Sequence, residues 1–166
     1  PDVRAGERTV QWLTQVAGRA GRGKQPGEVI IQTYAPQHYS VVTASRHDYH
    51  AFYEAEIAER ASFNYPPFSH FIRIVITAPV EQHTIDTAQT LGSLFCALTE
   101  GTAIEVLGPT PAALAKVKNK YRWQLVLKGS TLELLRKLVR EALKRLEAQA
   151  KPKAEITIDV NPLSML

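Results

Sequence analysis

Phe71-Ile72-Arg73-Ile74-Val75-Ile76-Thr77 is a nearly continuous apolar, β-branched run. It reads as a strand in a central position of a sheet. Working outward from it, Glu81 to Glu100 has Ile85, Ala88, Leu91, Phe95 and Leu98 on one helical face, with Gly101 as the stop. Ala103 to Leu107 predicts a short strand ending at Gly108-Pro109. In Tyr121-Arg122-Trp123-Gln124-Leu125-Val126-Leu127-Lys128, residues Tyr121, Trp123, Leu125 and Leu127 face one way, and Arg122, Gln124 and Lys128 the other. Ser130-Thr131-Leu132-Glu133 is a capping box. It opens a helix to about Gln149, with Leu135, Leu138, Val139, Ala142 and Leu146 inward and Glu133–Lys137 and Glu141–Arg145 pairs outside. Glu155 to Val160 closes the series as a strand. The order β-α-β-β-α-β predicts an α+β ferredoxin-like domain over residues 69–166.

Upstream, Gln15-Val16-Ala17-Gly18-Arg19-Ala20-Gly21-Arg22 reads Q-x-x-G-R-x-G-R. A helix from Glu7 to Gly18, if continued through this stretch, aligns Gln15, Arg19 and Arg22 on one narrow face. Val10, Leu13, Val16, Ala17 and Ala20 then pack inward. Gly18 and Gly21 carry no Cβ and allow close approach. Two guanidinium forks held this way suit a polyphosphate, because each donates parallel hydrogen bonds and keeps its charge. The plainer alternative is a solvated basic helix face before a glycine-containing turn. Gly21 to Gly27 reads as a loop and Val29-Ile30-Ile31-Gln32-Thr33 as a buried strand. Residues 1–36 are thus expected to be the edge of a RecA-like α/β lobe.

Residues 37–68 predict a helical bracket, with one helix from Gln37 to Ser45 and another from His47 to Phe63. Tyr49, Phe52, Tyr53, Ile57 and Phe63 fall at near-helical spacing and read as core rather than as base-stacking rings. Asn64-Tyr65-Pro66-Pro67 ends this section. His47-Asp48-Tyr49-His50 offers two imidazoles and one carboxylate, short of a metal-ligand set.

Across 166 residues the formal net charge is +4 with a pI near 9.3, a balance that favours an acidic partner. The single cysteine, Cys96, excludes a disulfide framework within this sequence and reads as a small core residue. No apolar run approaches about 18 residues, which predicts a soluble cytoplasmic protein. Between Val106 and Leu132 there is no acidic residue, whereas Lys116, Lys118, Lys120, Arg122 and Lys128 all fall there. The alternation from Lys116 to Arg122 predicts four cations on one side of an extended strand, facing a nucleic-acid phosphate backbone. A solvated basic hairpin is the alternative. Tyr121-Arg122-Trp123-Gln124-Leu125 is not the third-strand pattern of an RNA-recognition module. Ala78-Pro79-Val80-Glu81 offers no phosphate loop. A G-x-x-x-x-G-K-[ST] loop and an acidic Mg²⁺ segment are also missing, so an arginine pair would be half of a nucleotide site. A piece of a longer enzyme is expected.

The Gln15–Arg22 stretch resembles motif VI of superfamily 2 helicases. Several further stretches are similar to the primosomal helicases of bacterial replication restart. They are Asp2-Val3-Arg4-Ala5 with Glu7-Arg8-Thr9, Gly27 to Tyr34, Tyr65-Pro66-Pro67-Phe68, Gly108-Pro109 and Tyr121 to Gln124. The resemblance implies an ATP-dependent 3′→5′ DNA helicase acting at stalled forks and D-loops, in the nucleoid. Arg19 and Arg22 would be its arginine fingers, with Gln15, Gly18 and Gly21 near the nucleotide. It further implies ATP and Mg²⁺ as cofactors of the full-length enzyme, and zinc outside the present residues. The implied partners are branched and single-stranded DNA, single-strand-binding protein and other primosome proteins. The alternative is that this piece, taken alone, is a non-catalytic module binding DNA or protein.

Overall fold

In a computed structural model, residues 3–20, 27–149 and 152–162 are described. The chain divides into two compact units, Pro1–Asn64 and Tyr65–Leu166.

Unit 2 is built around β1 (His70–Ala78), which pairs antiparallel with β3 (Lys120–Gly129) on one side and β4 (Glu155–Val160) on the other. The outer strand β2 (Glu105–Val117) pairs antiparallel with β3, giving the order β2-β3-β1-β4. Helices α4 (Glu81–Thr99) and α5 (Leu132–Gln149) separate β1 from β2 and β3 from β4, so the chain order is β-α-β-β-α-β in a split arrangement. Both helices cover the same face. From β1 and β3 that face receives Ile72, Ile74, Ile76, Leu125 and Leu127. From the helices it receives Ala88, Leu91, Phe95, Leu135, Val139, Ala142 and Leu146, all in one buried cluster. The register sets Ile72 opposite Leu127, Ile74 opposite Leu125 and Ile76 opposite Trp123, as the period-two reading of both strands requires.

β2 runs past the Leu107 end expected from sequence. Gly108, at φ +96°, and Pro109 interrupt the ladder, and pairing resumes at Thr110 opposite Gln124. A Cβ on residue 108 would stand 2.8 Å from the Gln124 carbonyl oxygen, so the irregularity demands glycine. Cys96 is exposed, which corrects the core reading.

Unit 1 packs α1 (Ala5–Ala17), α2 (Tyr39–Ser45) and α3 (Tyr49–Ser62) around Val10, Ala44 and Phe52. Tyr39 stacks on Phe52 with ring centroids 5.9 Å apart. Several expectations fail here. Val16 is exposed rather than inward, and Tyr49, Tyr53 and Phe63 are exposed, leaving Phe52 as the buried aromatic of α3. Val29 to Thr33 is not a strand: it is irregular backbone with Ile30 86% exposed. A strand exists only where a neighbour pairs its backbone groups, so the helix, loop and strand edge of a RecA-like lobe is not formed among the described residues.

Candidate nucleic-acid interface

α1 ends before the arginine motif does. Gly18 caps it in a right-handed conformation, and the Arg19 and Ala20 amides donate to the Val16 and Ala17 carbonyls at 3.1 Å, a tighter turn. Gln15 and Arg19 are exposed, so Arg19 leaves the helix that the single-face alignment assumed. Gly21 and Arg22 lie outside the described residues.

The other end of α1 is pinned. Arg4 donates to Glu7 through Nε (2.8 Å) and Nη2 (2.6 Å), and Arg60 of α3 reaches Glu56 at 2.8 Å and Glu7 at 3.6 Å. The Tyr39 hydroxyl donates to Glu56 at 2.7 Å. Gly6 makes this crossing possible, because a Cβ there would meet Glu56 Oε2 at 2.6 Å. The Arg4 hydrogen bonds hold the Glu7 carboxyl below its ordinary range, against the opposing effect of burial. Burial first, then the bond to Glu56, pushes the Tyr39 phenol well above its usual value. At the His47–His50 stretch, Asp48 is spent as the cap of α3, accepting from the Ala51 amide at 2.9 Å.

In unit 2 the basic stretch is a hairpin tip and not one strand. Lys116 lies one residue before the end of β2, Lys120 begins β3, and Lys118 and Asn119 turn between the strands with φ of 48° and 60°. Two left-handed residues in a two-residue loop suit the right-handed twist of the flanking strands. Asn119 in an alternating region was the available sequence signal for this turn. The predicted row of four therefore splits. Register places Lys116 opposite Tyr121 and Val117 opposite Lys120, so Lys120 and Arg122 alternate with Tyr121. Lys116 Nζ lies 4.6 Å over the Tyr121 ring and 3.3 Å from its hydroxyl.

Several of these cations already have partners. Lys120 pairs with Glu155 at 3.1 Å and Lys128 with Glu105 at 3.2 Å, and Arg122 Nη1 donates to the Leu114 carbonyl at 3.4 Å. Lys128 is buried, 5.6 Å from the centre of the Tyr65 ring. Arg73, which sequence reasoning passed over inside an apolar run, is 3% exposed on the face opposite the helices. Its Nε donates to Gln124 Oε1 at 2.9 Å. Burial, and next the like charge of Arg122, lower its affinity for the proton, while Asp159 across the register acts the other way. Among the described residues no cluster of three or more His, Cys, Asp or Glu could hold a metal ion. No described helix is long and apolar enough to cross a membrane.

A four-stranded antiparallel sheet backed by two helices, with a basic hairpin beyond them, defines a small α+β domain whose charged side chains lie outside its core. Residues 61–163 match the family model described as primosomal protein N C-terminal domain, and the chain belongs to that family. Over its full length the chain is 37% identical to the replication restart protein PriA of Bacillus subtilis, covering 21% of that protein. Over 99% of its length it is 38% identical to the namesake from Synechocystis, covering 19% of it. The Treponema pallidum protein of the same name is 37% identical over the whole chain, which covers 25% of that relative. The chain thus spans about a fifth to a quarter of the length of these relatives.

Proposed function

We propose that the chain is part of an ATP-dependent 3′→5′ DNA helicase of replication restart, active at stalled forks and D-loops in the cytoplasm and nucleoid. The observation that carries this reading is the Q-x-x-G-R-x-G-R stretch, Gln15 to Arg22, on the same chain as a primosomal C-terminal domain. Arg19 and Arg22 would neutralise the charge that develops on the γ-phosphate of Mg²⁺-ATP, with Gln15, Gly18 and Gly21 beside the nucleotide. The Arg4–Glu7–Arg60–Glu56 network would steady the helix that leads to them. Single-strand-binding protein and other primosome proteins are the proposed partners, and zinc belongs to parts of the enzyme beyond these residues.

In the full-length enzyme, Arg22→Ala should lower kcat for DNA-stimulated ATP hydrolysis by about 10³. A change confined to KM would make Arg22 a ground-state binder and overturn the finger assignment. The 166-residue chain should turn over no ATP.

Taken alone, the chain would act as a non-catalytic DNA-binding module. The β2–β3 hairpin favours this, because Lys116, Lys118, Lys120, Arg122 and Lys128 all lie on its strands or its turn. Changing Lys116, Lys118, Lys120 and Arg122 to Ala should make the log–log salt dependence of binding to single-stranded and forked DNA shallower by about two to three. An unchanged slope would remove the hairpin from the interface.

A further inference from the structure

We propose that the outer face of α5, carrying Arg136, Lys137, Arg140 and Lys144, is a second contact for a nucleic-acid phosphate backbone. It lies on the helix side of the sheet and is separate from the β2–β3 hairpin. The proposal rests on the reading that the protein handles DNA.

α5 buries Leu135, Leu138, Val139, Ala142 and Leu146, which fixes the opposite side of the helix outward. Arg136, Lys137, Arg140 and Lys144 are all exposed there. Arg136, Arg140 and Lys144 recur every fourth residue, so they form a row with a rise of about 6 Å per step. That step is close to the axial span of about 7 Å between alternate phosphates of one duplex strand.

The row differs from the hairpin in what its charges are already doing. Among the described residues, none of these four cations is in an ion pair, whereas Lys120 and Lys128 are both paired with carboxylates. Of the acidic residues on α5, Glu141 is bonded to Arg145 at 2.7 Å, and its carboxylate also feels the charges of Lys144 and Lys137 without an ion-pair contact to either. The Glu133–Lys137 pair expected from sequence is not formed, and Lys137 makes no ion pair among the described residues. A cation in no ion-pair contact is neutralised largely by diffuse counterions, and releasing these drives binding to a polyanion. A cation held by a neighbouring carboxylate must first lose that partner.

No apolar side chain interrupts the row from Arg136 to Lys144 on its outward side; Leu134 is exposed two residues before Arg136, on the stripe that carries Glu141 and Arg145. An acidic protein segment would gain little from so uniformly polar a strip, because hot spots of protein interfaces bury aromatic or aliphatic anchors. A phosphate backbone needs only evenly spaced charge.

The test uses the 166-residue chain and a fluorescein-labelled oligothymidylate, read by anisotropy across a KCl series. Arg136→Gln, Arg140→Gln and Lys144→Gln are combined, and circular dichroism confirms the fold; all three side chains are exposed and leave the core untouched. The salt slope should become shallower by about two, since each single-strand phosphate contact contributes about 0.7. A second variant, Arg136→Lys with Arg140→Lys, should keep the parent's slope. The parent's slope and affinity in the Gln variant would overturn the α5 assignment while leaving DNA binding intact. Failure of the parent chain to bind at all would overturn both the assignment and the DNA-binding reading. Loss of polyglutamate binding with oligothymidylate binding unchanged would overturn it in favour of an acidic protein partner.

Discussion

Units 1 and 2 devote similar proportions of apolar sequence to different ends. Among the described residues, unit 2 gathers twelve buried residues into one cluster between sheet and helices, whereas the cluster of unit 1 holds three. Trp12, Val16, Val29, Ile30 and Tyr34 of unit 1 stand exposed. The difference lies in partners. Each strand of unit 2 finds a neighbour in register, so alternation becomes burial. Val29 to Thr33 has a strand's composition and no strand beside it among the described residues, so Val29 and Ile30 stay exposed and Ile31 is only half-buried.

Breaking the larger core should produce the largest effect. Phe95 is fully buried among α4, α5 and the sheet, and Phe95→Ala should cost about 3–5 kcal/mol. Urea unfolding would show a lowered midpoint for unit 2; an unchanged midpoint would contradict the placement of Phe95 at the centre of that core. Gly108→Ala comes next. Its φ of +96° and the 2.8 Å approach to the Gln124 carbonyl predict a loss of about 2 kcal/mol, read in the same unfolding experiment.

Asn161 sharpens the comparison at the end of the sheet. Its amide donates to the Phe71 carbonyl at 2.7 Å and its Oδ1 accepts from the Phe71 amide at 3.0 Å. It also holds a left-handed φ of 49°. Asn161→Ala should cost about 1–2 kcal/mol, and Asn161→Gly should restore part of it.

The smallest effect belongs to unit 1 and is set by pH. The folded-state pKa of Glu7 is depressed, so its contribution is fully present above the usual value of 4.5 and is lost as pH falls through the lower folded value. Thermal unfolding of unit 1 should weaken below about pH 4.5, and Arg4→Gln should flatten that dependence. A pH profile identical to the parent's would show that the Arg4–Glu7 pair does not stabilise the fold.

Sequence reading reached further in one unit than in the other for the same reason. The faces of β1, β3 and α5 follow from period two and period 3.6, because Ile72, Ile74 and Ile76 meet Leu127, Leu125 and Trp123. The continuation of β2 was hidden by Pro109 and Pro111, which deny the ladder two amides, and the turn by its lysine at Lys118. Arg73 was concealed because a charged residue inside an apolar run gives no sign of what will cover it. The motif residues Gln15, Gly18 and Arg19 are plain in the sequence, but their geometry depends on where α1 stops, which periodicity does not set. On α5 the wet side was read only through the Glu133–Lys137 and Glu141–Arg145 pairs, of which the second is formed. Only side-chain placement separates Arg145, in ion-pair contact with Glu141, from the cations of α5 that are in none.

Lysine acetylation footprinting of the 166-residue chain, with and without oligothymidylate, asks most directly whether the charges outside the core of unit 2 meet nucleic acid. Protection of Lys137 and Lys144 on α5, together with Lys116 and Lys118 at the hairpin, is the expected result. Equal modification of all four lysines with and without bound oligonucleotide would contradict it and move DNA contact to another part of the protein.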